Sequence, residues 1–343
     1  MGDYEILKNL VEFNTIKDKE NNKLFDYLEK YLKNYGFVTE EKGKNLVMSI
    51  GEECRLGFLG HVDTVEFIEG WKNKPHKFTQ EGNKLYGLGV CDMKGGIAAI
   101  VDAIKKVDFS KLKNGMKLYF TYDEEIGFSG TYDLVKAKEK FPATMIFGEP
   151  TNNMVLNGGK GLLEVECYFK GIKVHSSTPD KGKSANLNAV KFIYEMNEFY
   201  EKNIKGYEEK RFEVPYTTMN VGILNGGSAK NSIPAECYAT FDFRLAKSEH
   251  AESITEKMNE ISLKYDCEIK IIEKIYPFIN EVDFIKTDGC ASFMTEASLI
   301  DTESKLILGV GPVTAHEVDE HITVESYDML VNQYKDIIEK ICK

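Results

Sequence analysis

The sequence predicts an α/β protein with a mixed, largely parallel sheet and an inserted ferredoxin-like α+β module. Three observations lead to this prediction. Short apolar strands alternate with helices in the first part of the chain, the middle part has the order βαββαβ, and the α/β pattern returns after Pro277. Because parallel strands need helical crossovers, the first and last parts suit one sheet with helices on both faces.

The first part of the chain begins with a helix and continues with strands and a second helix. Apolar side chains recur at helical spacing from Leu24 to Leu32, and Gly36 ends that helix. The spacing from Ile97 to Ile104 predicts a helix that begins just after Asp92. Short apolar runs predict strands at residues 46–50, 56–59, 117–122 and 144–147.

The middle part begins with a half-buried strand in which every second residue from Leu163 to Phe169 is apolar. The helix that follows is predicted to carry Leu187, Val190, Ile193 and Tyr194 on one apolar face. A second helix carries Ile254, Met258 and Ile261, and the remaining strands are predicted near residues 217–223, 237–245 and 268–272.

The last part returns to the α/β pattern with a strand at residues 306–308 and a closing helix from Tyr327 to Ile341. His316 lies between them. If His316 joins acidic residues of the first part at one site, the catalytic domain is discontinuous. We then expect a catalytic domain of residues 1–160 and 275–343 and an inserted domain of residues 161–274.

Length and charge exclude several classes of protein. A chain of 343 residues suggests two domains, and a net charge of −11 disfavours nucleic acid and anionic membranes as partners. No apolar run approaches the ~20 residues that span a bilayer. The polar residues 1–5 are not typical of a signal peptide. The seven scattered cysteines form no CxxC pair, which predicts reduced thiols in a cytoplasmic protein.

Acidic residues and histidines concentrate where predicted strands end. Clustered carboxylates repel one another and are costly to bury, so a cation would stabilise them. Two imidazoles and several carboxylates suit one or two divalent metals of the zinc type. The five segments are Gly60–Asp63, Gly89–Asp92, Asp123–Glu125, Gly148–Pro150 and Ala315–Glu317.

The spacing within these segments indicates which side chains could bind a metal and which could orient a ligand or reach the bound water. His61 and Asp63 point to the same face of an extended chain, so the imidazole can bind a metal while the carboxylate orients it. Glu124 and Glu125 point in different directions, so one can bind metal while the other reaches the bound water. Asp92, between a tight turn and a helix, can bridge two metals.

Other interpretations of the same residues are weaker. His61 and Asp63 alone are also typical of a surface pair, and adjacent acids are common on solvated helices. Gly87-Leu88-Gly89 could begin a dinucleotide-binding loop, but Asp92 stands where such a loop has its third glycine. A negative charge there would repel a pyrophosphate, which disfavours a nucleotide site. Residues 127–130 lack the spacing of a nucleophile elbow, and residues 316–321 lack the spacing of HExxH.

Taken together, the segments resemble the M20 family of metallopeptidases and deacylases, which includes acetylornithine deacetylases and carboxypeptidases. The resemblance runs from about His61 to His321 and includes His175-Ser176-Ser177. It implies a zinc-peptidase-like catalytic domain, an inserted dimerisation or lid domain, and a homodimer. It also implies a cis peptide bond after Asp92.

The resemblance assigns a role to each candidate residue. Two divalent metals, Zn²⁺ with Co²⁺ or Mn²⁺ as alternatives, would share Asp92. Glu124 would be the general base, Asp63 the orienter of His61, and His175 an oxyanion donor to the partner subunit's site. One metal would be bound by His61, Asp92 and Glu149, the other by Asp92, Glu125 and His316, and the substrate by Asn231, Arg244 and Thr295.

The predicted function is that of a di-metal amidohydrolase that removes the acyl group from an N-acyl amino acid. Glu149 in place of Asp favours deacylases and carboxypeptidases over dipeptidases, and Thr295-Glu296-Ala297 is similar to acetylornithine deacetylases. Ser298 and Glu317-Val318 depart from that pattern, which leaves the substrate open. The alternatives are a dipeptidase or carboxypeptidase, a non-catalytic binding protein with the same fold, and a metal-dependent phosphatase.

Overall fold

The carboxyl ends of three parallel strands define the part of the fold that matters for function. The structure, a computed structural model, describes residues 4–343. Residues 1–3 lie outside the described residues. They belong to the polar segment, residues 1–5, that is not typical of a signal peptide. The described chain divides into two units, which are considered one at a time.

The first unit comprises the described residues up to Asn157, Asn280–Asp288 and Thr295–Lys343. Its helices are α1 (Glu5–Glu12), α2 (Asn21–Lys33), α3 (Lys94–Ile104), α4 (Glu124–Gly127), α5 (Ser129–Lys136) and α8 (Val324–Ile341). Its strands are β1 (Val38–Lys42), β2 (Leu46–Ile50), β3 (Cys54–His61), β4 (Thr79–Glu81), β5 (Lys84–Tyr86), β6 (Gly115–Thr121), β7 (Thr144–Phe147), β15 (Ser304–Ile307) and β16 (His321–Thr323). Strand β8 (Leu156–Gly159) begins in this unit and ends in the second.

The main sheet has the strand order β1-β2-β6-β3-β7-β15-β8. Strand β3 is parallel to both β6 and β7, and β7 is parallel to β15. Strands β1 and β2 are added in antiparallel fashion at one edge. Strand β8 pairs with β15 in antiparallel fashion on the other side. This arrangement confirms the predicted mixed sheet, in which the parallel pairs lie at the centre.

Helix α3 lies at the centre of the core, since all eleven of its residues are buried. The close packing depends on glycine at one position, because a Cβ on Gly96 would lie 2.3 Å from the backbone oxygen of Gly148. The Tyr327 hydroxyl group donates to Asp102 at 2.7 Å and links α8 to α3. The Gly96 contact places the start of α3, two residues after Asp92, against the end of β7, and the Asp102 contact holds the other end of the helix.

The second unit comprises Gly158–Ile279 and Gly289–Met294. Its helices are α6 (Ala185–Asn203) and α7 (Glu249–Ser262), and its strands are β9 (Gly161–Lys170), β10 (Thr218–Gly226), β11 (Glu236–Leu245), β12 (Cys267–Ile275), β13 (Phe278–Ile279) and β14 (Gly289–Ala291). Strands β9 to β12 form an antiparallel sheet in the order β10-β11-β9-β12. With α6 and α7 they follow the predicted βαββαβ order.

The buried face of α6 differs from the predicted one. Leu187, Val190 and Tyr194 are 60 %, 54 % and 62 % exposed. The residues that pack into the core are Ala185, Ala189, Phe192, Met196 and Tyr200. This second stripe has helical spacing over four turns, so it buries more continuous area than the shorter stripe that the prediction followed.

Two further differences concern short elements. Strands β4, β5 and β16 form a separate three-stranded sheet that the sequence analysis missed, because each strand has only three residues and little apolar alternation. Residues 289–294, predicted to belong to the catalytic domain, group with the second unit, where β14 pairs with β8. Among the described residues, no helix combines the length and apolar character needed to cross a bilayer.

Candidate metal centre

Three neighbouring strands of the first unit end at the same edge of the sheet, and predicted site residues follow each of them. His61 is the last residue of β3 and pairs in register with Thr121, the last residue of β6. Glu124 and Glu125 follow β6 in the short helix α4, and Glu149 follows β7. Parallel pairing therefore gathers these residues at the edge where α/β proteins place their sites.

His61 is completely buried, and both of its ring nitrogens have polar neighbours. Nδ1 lies 3.1 Å from the backbone oxygen of Asp63, which can only accept, so Nδ1 carries the proton in the neutral ring. Nε2 lies 3.2 Å from Oδ1 of Asp92 and donates a hydrogen bond to it when the ring is protonated. Burial lowers the pKa of His61, but the charge of Glu124 and the Asp92 hydrogen bond outweigh burial and raise it.

The Asp63 carboxylate lies beside His61, as expected, but its hydrogen bonds go to another part of the chain. Its Oδ1 lies 3.7 Å from Nδ1 of His61, farther than its own backbone oxygen. The two carboxylate oxygens instead accept hydrogen bonds from the backbone N–H groups of Glu124 and Glu125, at 3.2 and 3.1 Å. The carboxylate therefore fixes the turn that carries the acid pair, and the backbone of Asp63 orients the imidazole.

His316 lies against the same group of carboxylates. Its Nε2 is 3.1 Å from Oε2 of Glu125 and 3.6 Å from Oδ2 of Asp92. The hydrogen bond with Glu125 raises the pKa of His316 to about 9, although burial opposes this shift. One oxygen of Asp92 therefore faces His61 and the other faces His316, and its role as a bridge between two metals stays a prediction.

The backbone around Asp92 is unusual, as expected. The Asp92–Met93 peptide bond is cis, which confirms the bond that the resemblance implies. Burial raises the pKa of Asp92, but its hydrogen bond to His61 and the charge of that ring outweigh burial and lower it. Asp92 is therefore a carboxylate, with negative charge available to both histidines.

Two more carboxyl groups lie at this edge without a cationic side chain of their own. Oε2 of Glu124 is 3.9 Å from Nε2 of His61, and Glu149 is 5 % exposed. Burial raises the pKa of Glu124 well above its usual range, in spite of His61. Burial and the negative charges of Asp92 and Glu124 do the same for Glu149. Both groups would be stabilised by added positive charge.

The donors fit divalent metal ions. His61, Asp92 and Glu125 each offer one ligand atom, and these atoms lie within 4.8 Å of one another. Imidazole nitrogen and carboxylate oxygen are donors that zinc-type ions accept. His316 approaches the same Asp92–Glu125 pair from a second direction. One cation beside His61 and another beside His316 would therefore share Asp92.

Glu320 was missed by the sequence analysis, although it supports this centre directly. It is 2 % exposed, and its carboxylate accepts hydrogen bonds from the backbone N–H groups of Gly89 at 2.7 Å, Cys91 at 2.7 Å and Asp92 at 3.1 Å. Burial raises its pKa to about 7, and the three N–H groups oppose this shift. A lone Glu in a loop gives no sequence signal, because its partners are backbone atoms 228 to 231 residues away.

Lys94 and Glu296 are further buried charges that the sequence did not single out. The ammonium group of Lys94 donates to the backbone oxygen of Phe13 at 2.9 Å, and burial lowers its pKa to about 7 despite Glu320. Glu296 accepts hydrogen bonds from the hydroxyl groups of Thr121, at 3.0 Å, and Thr131. It therefore joins the end of β6 to α5, the two elements that flank the acid pair.

Thr295 has a structural position, and its predicted contact with substrate stays a prediction. It is 1 % exposed, and its hydroxyl group accepts a hydrogen bond from the N–H group of Ala297 at 3.2 Å. This contact caps the short 3₁₀ helix Glu296–Ser298, which carries the buried Glu296.

The other predicted residues, His175, Asn231 and Arg244, belong to the second unit. The loops that carry His175 and Asn231 are joined, since the N–H group of Ser176 donates to the backbone oxygen of Asn231 at 3.0 Å. Ser177 contacts Nδ1 of His175 through both its N–H group, at 3.2 Å, and its hydroxyl group, at 2.7 Å. Arg244 forms two hydrogen bonds of 3.0 Å with Asp242.

Comparison with known proteins agrees with this architecture. The family model for the M20 peptidase dimerisation domain matches residues 157–266, most of the second unit. The acetylornithine deacetylase of Vibrio parahaemolyticus serotype O3:K6 (strain RIMD 2210633) is 30 % identical over 370 residues, which cover 98 % of each chain.

Two solved structures have the same fold at lower identity. A tripeptidase from Staphylococcus aureus matches with a TM-score of 0.81 at 19 % identity and covers 98 % of this chain and 97 % of its own. A metallo-carboxypeptidase of the M20 family from Sulfolobus solfataricus also gives 0.81 at 19 % identity and covers 99 % of both chains. At such identities the likeness supports the fold alone.

Replacing Glu320 tests whether its carboxylate fixes the backbone of the loop around Asp92. In Glu320→Gln, one side-chain oxygen becomes an NH₂ group that faces backbone donors, so we expect a loss of about 2–3 kcal/mol in the free energy of unfolding. The amides of Gly89, Cys91 and Asp92 should exchange faster than other loop amides, as measured by hydrogen exchange. The exposed neighbour Glu317→Gln is the control. Unchanged exchange at these three amides would contradict the role.

Proposed function

The chain belongs to the M20 family of metallopeptidases and deacylases, and we propose that it is a metal-dependent amidohydrolase that removes the acyl group from an N-acyl amino acid. The observation that carries the proposal is the convergence of His61, Asp92 and Glu125 within 4.8 Å, with Glu124 beside them. The choice of substrate follows the full-length likeness to an acetylornithine deacetylase.

Two divalent cations are proposed, with Zn²⁺ favoured by the nitrogen and oxygen donors and Co²⁺ or Mn²⁺ as alternatives. His61, Asp92 and Glu149 would hold one, and Asp92, Glu125 and His316 the other. When bound, the cations would polarise an amide carbonyl group and lower the pKa of a water molecule to about 7.

Glu124 is proposed as the general base. Its carboxyl group faces His61 but has a raised pKa, which brings its proton affinity closer to neutral pH. The Glu124 carboxylate would take a proton from the attacking water and return it to the leaving amine. Asp63 supports this step indirectly, because its carboxylate holds the N–H groups of Glu124 and Glu125.

His175 is proposed as the group that stabilises the oxyanion, from a partner subunit. Both contacts from Ser177 present hydrogens to Nδ1, so the neutral ring carries its proton on Nε2 and can donate outward. Asn231 and Arg244 are proposed to bind the substrate carboxylate. Arg244 would then exchange one of its contacts with Asp242 for the substrate.

A homodimer through the second unit is proposed on the basis of its exposed apolar surface. Leu187, Val190 and Tyr194 on α6 are each more than half exposed, as are Ile223 and Leu224 on the neighbouring edge strand β10. Apolar patches of this kind mark protein interfaces. The match to a peptidase dimerisation domain supports the same surface.

A cytoplasmic location is proposed from the cysteines alone, since the seven cysteines form no disulfide bond within the described part of the chain. A dipeptidase or carboxypeptidase remains the alternative activity, because the two solved structures described above are named as peptidases. The full-length relative favours the deacylase.

A substrate panel tests the proposed activity. The purified protein loaded with Zn²⁺ or Co²⁺ should hydrolyse N-acetyl amino acids, acetylornithine among them, with higher kcat/KM than dipeptides. Removal of metal with a chelator should abolish the activity, and added metal should restore it, because the site residues alone cannot activate water. A preference for dipeptides would replace the deacylase with the peptidase, and hydrolysis unaffected by complete metal removal would contradict both.

The general base is tested by Glu124→Gln. We expect kcat to fall by roughly 10²–10⁴-fold because the amide cannot accept a proton, while bound metal and thermal stability stay near their normal values. Metal content and turnover are measured on the same sample. The exposed Glu81→Gln is the control for loss of one negative charge. Normal turnover in the Glu124 variant would contradict its role as the general base.

The role of His175 across the dimer is tested by mixing inactive variants. Glu124→Gln and His175→Ala carry their changes in different units, so a mixed dimer would contain one intact site. After subunit exchange we expect about a quarter of the normal activity. A mixture of Glu124→Gln and Asp92→Asn should recover none, since both changes lie in the first unit. Equal recovery in the two mixtures, or none in either, would contradict the exchange of His175.

A further inference from the structure

His316 lies in an exposed loop, residues 314–321, which is here called the His316 loop. The side chain of His316 is 54 % exposed, whereas His61, the imidazole proposed for the other cation, is completely buried at the end of a strand. An exposed loop opens more easily than a buried strand, so a ligand that it carries needs contacts that hold it in place.

The two ends of the His316 loop are closed by one hydroxyl group. The Thr314 hydroxyl group donates to the backbone oxygen of His321 at 2.7 Å and accepts from the N–H group of His321 at 2.9 Å. His321 begins β16 and pairs with Tyr86 of β5, so this end of the loop is attached to the small three-stranded sheet. The position of His316 between the two ends depends on further contacts.

The backbone of the loop has an uncommon conformation at two residues. The φ angles of His316 and Asp319 are 63° and 56°, in the left-handed region that residues other than glycine rarely occupy. Such a conformation persists where surrounding contacts impose it, and it is concentrated at functional sites. The loop therefore has a defined shape that its neighbours must maintain.

Asp319 holds the loop from its outer side. Its Oδ1 accepts hydrogen bonds from the backbone N–H groups of Lys72 at 2.9 Å and Asn73 at 3.1 Å. Val318 lies against the same segment, since a Cβ on Gly70 would lie 4.0 Å from Cγ1 of Val318. The carboxylate thus joins the His316 loop to residues 70–73, which belong to the connection between β3 and β4.

The next residue, Glu320, holds the loop from its inner side through the backbone N–H groups around Asp92. Two consecutive carboxylates therefore fix the loop to two different parts of the chain. Between them, Nε2 of His316 lies 3.1 Å from Oε2 of Glu125. Loss of the outer contact would leave the inner one in place, so the fold should survive while His316 gains freedom.

The outer contact suits a role in positioning better than a role in overall stability. The hydrogen bond from Lys72 lies at the exposed surface, where water can replace a lost partner at little cost. A metal ligand is more sensitive, because its nitrogen must stay within a narrow range of distance and direction.

We propose that Asp319 is a positioning residue, which holds the His316 loop so that the imidazole meets Asp92 and Glu125 where a cation would be bound. The inference rests on the proposed role of His316 as a metal ligand. Asp319 itself contacts neither substrate nor cation in this role and acts through the backbone of the loop.

Calorimetric titration of the metal-free protein with Zn²⁺ tests the inference without substrate. His316→Ala first identifies the binding event that belongs to His316. In Asp319→Ala we expect this event to weaken roughly 10–100-fold, as is typical when a group that orients a metal ligand is lost. The other event and the temperature of unfolding should stay near the wild-type values. Glu317→Ala, an exposed change of equal charge in the same loop, is the control and should alter neither event.

Two further variants separate the hydrogen bonds from the backbone conformation. Asp319→Asn keeps an oxygen that accepts from the same two N–H groups and tolerates the left-handed backbone, so it should restore the affinity. Asp319→Gly relieves any strain at this φ angle but has no acceptor, so it should weaken the event as Asp319→Ala does. The amides of Lys72 and Asn73 should exchange faster in the alanine and glycine variants than in the asparagine variant.

The outcomes distinguish this inference from the proposed deacylase function. Wild-type Zn²⁺ affinity in Asp319→Ala, or a loss that Asp319→Asn does not restore, would overturn the inference alone. A weakened event in Asp319→Ala that Asp319→Asn restores, with no hydrolysis of N-acyl amino acids by the wild type, would uphold it and overturn the deacylase. A wild-type protein that binds no Zn²⁺, or a His316→Ala variant that loses no binding event, would overturn the inference together with the proposed role of His316.

Discussion

The concentration of carboxyl groups at one edge of a parallel sheet is the constraint on which this structure depends. Asp92, Glu124, Glu125 and Glu149 meet there, and the nearest cationic groups are two imidazole rings. Burial and the neighbouring negative charges raise the pKa of Glu124 and Glu149. The fold tolerates this arrangement because the strands that end there are rigid and deeply buried on both faces.

Acidic residues near this edge divide according to the partners that the fold gives them. Asp63 and Glu320 accept hydrogen bonds from backbone N–H groups and hold loops in place. Glu296, whose partners are hydroxyl groups, joins β6 to α5. Asp92 and Glu125 face imidazole nitrogens and keep negative charge available for a cation. The kind of partner, rather than the kind of residue, separates structural acids from functional ones.

The sequence was sufficient to predict which residues gather at this end of the sheet when their position follows directly from the end of a strand. A strand that ends in His61, Glu149 or the pair Glu124-Glu125 can be recognised from the apolar run before it. Glu320 and Glu296 could not be found in this way, because their partners depend on loop paths across the fold. The face of α6 was mistaken because two apolar stripes compete on one helix and only tertiary packing decides between them.

The hydrogen bonds of Glu320 have a consequence for the order in which the chain can reach its active form. This carboxylate fixes the backbone around Asp92 although 228 residues separate the two, and His316 meets Glu125 across a separation of 191 residues. During synthesis, the early strands emerge long before either partner exists. A nascent chain that ends within the second unit therefore has β3, β6 and β7 but lacks β15 and the carboxylate that holds the backbone of Asp92. The group of carboxylates and histidines around Asp92 can therefore be completed only after residues 316–320 have been synthesised.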